Sequence, residues 1–112
     1  MLAVTGAQIL AFVGVKTPTT DDTTWANAVA TAVTAAMLSR LNGAVIASPS
    51  DAENELNVAL LLAGAEAYKR KEATFGSTGY ADLEGNAVAL SRDYIDAVAP
   101  LIDRWSAGPG IG

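Results

Sequence analysis

The stretch from Ser50 to Lys71, SDAENELNVALLLAGAEAYKRK, decides the fold. Ser50 and Glu53 have the spacing of a capping box, in which a hydroxyl and a carboxylate satisfy backbone N–H groups at a helix start, and Pro49 stands just before them. Beyond the cap, Leu56, Leu60, Ala63 and Ala67 form one apolar stripe, and Val58, Leu61, Leu62, Ala65 and Tyr68 form another, predicting a helix to about Lys71 or Glu72. A helix apolar on two sides either fills the centre of a bundle or lies between its own domain and a neighbouring subunit.

Upstream, Thr5 and Gln8 repeat the capping-box spacing, Val4 and Ile9 sit where a hydrophobic staple would, and Gly14 follows as a stop, giving a short helix over about 6 to 13. Lys16 to Thr20, with Pro18 and its threonines, reads as a linker. From about Asp22 to Leu41, Trp25, Val29, Val33, Met37 and Leu41 recur every four positions with Ala28, Ala32 and Ala36 between them, an amphipathic pattern closed by Asn42-Gly43. Downstream, the helical period fades between Ala73 and Ser91, where Gly76, Gly79 and Gly85 suggest an ordered loop or a short β-hairpin turning at Glu84-Gly85-Asn86. A last helix is expected from about Arg92 or Asp93 to Trp105, capped by Ser91 or Asp93, with a kink or restart near Pro100. The expected architecture is mainly α: a small bundle of about four helices with a long loop or short β-hairpin between the last two. One domain spans 1–105, and a flexible tail spans 106–112.

Composition narrows the function. The chain has 112 residues, 51% hydrophobic and 17% charged, which fits one small folded domain rather than a disordered one. Alanine fills 23 positions, favouring helices that pack closely. No cysteine and no histidine are present, so disulfides, thiolate zinc sites, cysteine nucleophiles and imidazole bases cannot be built. A formal charge of −5 argues against a dedicated nucleic-acid binder. The longest apolar run, Val58 to Ala65, is far short of a membrane span, and the N-terminus lacks the basic start of a secretory signal, so a soluble, intracellular protein is expected. No enzyme activity, metal or cofactor is expected.

Several features were weighed as sites. Lys69-Arg70-Lys71 could contact phosphate, although cations at a helix C-terminus also complement its dipole. The glycines at 76, 79 and 85 match no phosphate-cradling motif. Asp51 with Glu55, and Glu66 with Asp82, are carboxylate pairs better explained as caps and solvated faces than as acid–base or cation sites. Trp25 and Trp105 lie on apolar stripes and belong more naturally to the core than to a docking surface.

From Glu55 to Trp105 the order of features resembles the head-tail connector, or adaptor, proteins of long-tailed bacteriophages. The apolar helix Leu56 to Tyr68 ends in Lys69-Arg70-Lys71. Phe75-Gly76 and Gly79-Tyr80 then occupy the position of that family's glycine-containing loop. Leu90-Ser91-Arg92-Asp93 follows, and Ile95 to Trp105, with Pro100, Arg104 and Trp105, is similar to its closing helix. The resemblance implies a ring, usually of twelve copies, between the portal protein and the stopper or tail-terminator protein in the virion neck. DNA would pass through it without specific binding, and assembly would take place in the host cytoplasm. On that reading the second apolar side of the third helix offers Leu61, Leu62, Ala65 and Tyr68 for contacts between copies, and the loop offers Phe75, Gly76, Gly79, Tyr80, Leu83, Val88 and Leu90 for contacts with neighbouring copies or neck proteins. The tail, which has no residue-by-residue match to the family, would reach the portal through Gly108, Pro109 and Gly110 and become ordered there. The alternative is a small DNA-associated packaging or regulatory protein using Lys69, Arg70, Lys71 and Arg92 on phosphates.

Overall fold

The computed structural model describes residues 2–48, 50–70 and 83–105, with the side chains of residues 83–86, 89 and 90 left aside. The described residues are mainly helical and contain no strand. Among the described residues five helices follow in order: α1 (Gly6–Val13), α2 (Thr20–Leu41), α3 (Asp51–Tyr68), α4 (Leu83–Ala97) and α5 (Ala99–Asp103).

Local chemistry sets the helix ends. At α1, the Thr5 hydroxyl accepts from the Gln8 N–H at 3.1 Å while the Thr5 N–H donates to the Gln8 side chain at 2.9 Å, the reciprocal pair expected from the spacing. Gly14 then takes a left-handed φ of 86° and closes the helix. At α2 the same device operates and the helix begins two residues earlier than expected: Thr19 is the cap, Asp22 its reciprocal partner, and the helix starts at Thr20. Asn42 and Gly43 end it with φ values of 54° and 84°. At α3 the Ser50 hydroxyl accepts from the Glu53 N–H. The helix stops at Tyr68, short of the expected Lys71 or Glu72.

The C-terminal third differs most from expectation. Glu84-Gly85-Asn86, the expected hairpin turn, lies inside α4, and Ser91 and Asp93 are mid-helix residues rather than caps. Ala87, Ser91 and Ile95 carry the buried stripe, one turn apart, and bury it almost completely. Two of these three side chains are small or polar, so a reading by apolar periodicity passes over them. A single glycine in a helix costs only about 1 kcal/mol, which packing readily outweighs. The chain restarts at Val98, and Pro100 sits in the first turn of α5, where its missing N–H costs nothing. The expected loop residues Phe75, Gly76, Gly79 and Tyr80, together with Lys71 and the tail at Gly108, Pro109 and Gly110, lie outside the described residues.

The helices enclose one core of Ile9, Trp25, Val29, Val33, Met37, Leu41, Leu56, Leu60, Ile95 and Ile102. Helices α1 and α4 each pack on both α2 and α3, and α2 and α3 also touch each other. In cross-section the order around the bundle is therefore α1, α2, α4, α3, which places the α1/α3 edge opposite the α2/α4 edge. Helix α5 caps α2 and α3.

Two glycines let backbones approach. A Cβ on Gly6 would run into the Asn27 side chain and come within 2.9 Å of the Asn27 backbone N; one on Gly64 would meet Ile9 Cδ1 at 2.8 Å. Gly6→Ala should therefore lower stability by about 1–3 kcal/mol despite the better helix propensity of alanine, since backbone cannot step aside. Gly64→Ala should cost less, because a terminal methyl can turn away. Urea unfolding of both variants checks the order of the two effects.

Candidate functional site

Because α3 is approached by α1, α2 and α4, a wide arc of it is buried in its own chain. Leu56, Leu60, Ala63 and Ala67 face inward as expected. The second stripe divides. Ala65 and Tyr68, expected at contacts between copies, are buried at 2% and 8% exposure, and the Tyr68 carbonyl accepts from the Trp25 indole N–H at 3.1 Å. Residues enclosed in this way offer no surface to a second copy, so that expectation is corrected for these two. Leu61 is half-buried, whereas Leu62 and Val58 are exposed at 41% and 56%. The outward line of α3 is thus Asp51, Glu55, Val58, Leu62 and Glu66, spaced three or four residues apart along one side of the helix.

The N-terminal segment extends this line sideways. The Ala3 N–H donates to Asn57 Oδ1 at 3.3 Å, and Ala3, Val4 and Gln8 line a hollow with Asn57, Val58 and Leu61. Since Ile9 lies over Gly64, α1 and α3 run in the same direction. Phe12, one turn beyond Gln8 and half exposed, then continues along α1 as Leu62 continues along α3. Val58 and Leu62 on α3 and Phe12 on α1 are the exposed large apolar side chains of these two helices, and the ridge line along α3 also carries the carboxylates of Asp51, Glu55 and Glu66.

The opposite edge is hollow. Between α2 and α4 two adjoining hollows of about 400 and 520 Å³ share Ala32, Ala35 and Val88. One ends toward Thr24 and Asn27, the other toward Ser39, Arg40, Arg92 and Asp96. Small side chains on α2 make the floor, and Val88 stands on the α4 wall, half exposed. Val88 was expected in a loop at a neighbour contact; it stands instead on a helix. Leu83 and Leu90, expected with it, also belong to α4.

The charged residues are dispersed. Lys69 pairs with Glu66 at 3.2 Å, and the Arg70 Nε donates to the Tyr94 hydroxyl at 2.8 Å, which raises the Arg70 pKa. Arg92 lies on the other side of α4, beside the groove. Of the four cations expected to act together on phosphate, the three described, Lys69, Arg70 and Arg92, therefore do not form one cluster. Arg104 stacks over the Trp105 ring at 5.1 Å and reaches Glu55 at 3.4 Å, holding the end of the chain against α3. The Ser91 hydroxyl and Trp105 indole N–H are buried with no hydrogen-bond partner among the described residues. Among the described residues no group of three acidic side chains could hold a metal ion, and no helix is long and apolar enough to cross a membrane.

Arg40 binds Asp103 through two guanidinium nitrogens, at 2.9 and 3.1 Å, and Asp96 at 2.9 Å. The hydrogen bond from Arg40 holds the Asp103 carboxyl below the usual aspartate range and raises the Arg40 pKa. A carboxyl more acidic when folded contributes stability above its unfolded pKa, about 3.9, and loses it as pH falls through the lowered folded value. Comparison with protein-family models, with curated proteins and with solved structures returns no match. In Arg40→Gln the native Asp103 would titrate nearer its ordinary value. The urea midpoints of variant and parent should therefore differ most above pH 5 and converge as pH drops toward 2.

Proposed function

We propose that this chain is a structural subunit of the head-tail connector type, one of a ring of copies, twelve by the resemblance, seated in the neck of a bacteriophage between the portal and the stopper or tail-terminator protein. The observation that carries the reading is that α3, enclosed by three helices, still exposes Val58 and Leu62, with Phe12 exposed on the neighbouring α1; Leu38, Val45, Val88 and Leu101 are exposed elsewhere on the bundle. A helix buried on three sides that carries exposed aliphatic side chains among carboxylates on the fourth is suited to association with like copies. The order of features from Glu55 to Trp105 supplies the particular kind of assembly.

Charge supports the same reading. Twelve chains of formal charge −5 would total about −60, so a lumen sharing in that charge would let DNA slide without sticking. The DNA-associated alternative needs Lys69, Arg70, Lys71 and Arg92 to act as one patch. Two of its members are held by Glu66 and Tyr94, and a third faces the groove.

Native mass measurement of the chain with the portal protein of its particle, together with imaging of the particle neck, tests the proposal. Stoichiometric incorporation is expected. Replacing Val58 and Leu62 with Asp should leave helix content unchanged, since both side chains are solvent-facing, while abolishing incorporation. Absence of the chain from purified virions, or tight DNA binding that weakens steeply between two salt concentrations, would overturn it.

A further inference from the structure

The two opposite edges of the bundle differ in side-chain size. The α1/α3 edge bears the exposed Val58, Leu62 and Phe12, with a small hollow of about 220 Å³ beside Val58; the α2/α4 edge holds the larger groove, floored by alanines. They match in length. The groove runs from Thr24 to Ser39 along α2, and the ridge line runs from Asp51 to Glu66 along α3, each about 22 Å at 1.5 Å per residue. Ridges of large side chains seated in grooves of small ones are how helices pack within a single protein, and alanines let the axes come close.

The charges complement one another as well. At the groove, Arg40 is already shared between Asp96 and Asp103, but Arg92 has no ion-pair partner among the described residues. Along the ridge, Glu55 and Glu66 are engaged by Arg104 and Lys69, while Asp51 has no ion-pair partner among the described residues. Among the described residues, one side thus offers a cation and the other a carboxylate without an ion-pair partner.

Resting on the connector reading, we propose that the occupant of the α2/α4 groove is the α3 ridge of a second copy of this chain. Val58 and Leu62 seat against Ala32, Ala35 and Val88, and Arg92 lies within reach of the ridge carboxylates. The contact is head-to-tail: each copy gives its ridge to one neighbour and its groove to the other. Because the two surfaces lie on opposite edges, such contacts propagate, and they close into a ring when the rotation per copy divides a full turn.

The chain has no cysteine, so introduced thiols report one contact at a time. Leu62→Cys and Ala35→Cys proteins are prepared separately; both positions are solvent-facing, so folding is retained. Mixed and oxidised, they should give a covalent dimer. Each alone should give little, and the double variant should give a ladder of multimers. In a second measurement, Ala35→Trp fills the groove and should abolish the mixed product, with the circular dichroism of the chain unchanged. If Leu62→Cys alone dimerises as well as the mixture does, the contact is ridge to ridge and the proposal fails. If no mixed product forms while native mass shows closed rings with the portal protein, the pairing is wrong and the connector reading stands. A mixed product from a chain that is absent from purified virions would keep the pairing and remove the connector reading.

Discussion

The structure depends on one constraint: α3 must be approached by three helices at once. Its own side chains permit this. Ala59, Ala63, Gly64 and Ala67 keep the helix thin where its neighbours cross, and Ile9 lies directly over Gly64. Trp25 fixes the fit. Its buried ring removes roughly 200 Å² from water, worth about 5 kcal/mol before the entropy of ordering it. Its N–H bond to the Tyr68 carbonyl sets where α2 stands along α3. With three sides of α3 committed, only the line through Val58 and Leu62 is left for anything else.

Much of this was legible in the sequence wherever a helix end is written in cap residues. Thr5, Gln8 and Gly14 bound α1, Ser50 starts α3, and Asn42-Gly43 ends α2, because each satisfies or redirects a few backbone groups whatever the tertiary context. The start of α2 slipped because its box pairs Thr19 with the aspartate Asp22, where the boxes read at Thr5 and Ser50 have the longer Gln8 and Glu53. Helix α4 was hidden for another reason: its buried stripe runs through Ala87 and Ser91, whose burial is imposed by α2 and α3 rather than by their own hydrophobicity. The outward face of α3 was missed by less than one turn. Two apolar stripes show that a helix is surrounded, but which residues escape depends on where the neighbours cross, and no local pattern encodes that.

The same geometry bears on the cations. Lys69-Arg70-Lys71 is contiguous in the sequence, but where the chain leaves α3 Lys69 and Arg70 turn in different directions and meet different partners, Glu66 and Tyr94. Arg70 on Tyr94 ties the end of α3 to α4, so the residue contributes to the join between them. Arg40 does comparable work at the far end of α2, where Asp96 and Asp103 flank the restart at Val98 and Pro100. Both arginines sit across helix junctions, where a planar donor can serve two elements at once.

The strength of the remaining surface has a consequence for assembly. Val58, Leu62 and Phe12 are already about half covered, so burying the remainder would yield roughly 0.7–1.5 kcal/mol each. Bringing two chains together costs an estimated 4–15 kcal/mol in lost freedom before any contact forms. A single ridge-in-groove contact is therefore weak. Closing a circle changes the balance, because the last subunit makes two contacts for one loss of freedom, and a symmetric template that holds copies side by side raises their effective concentration further. A surface of this size is too small to fix copies irreversibly in pairs, yet sufficient once many act together. That combination favours a subunit that stays dispersed until a ring of binding places is offered to it.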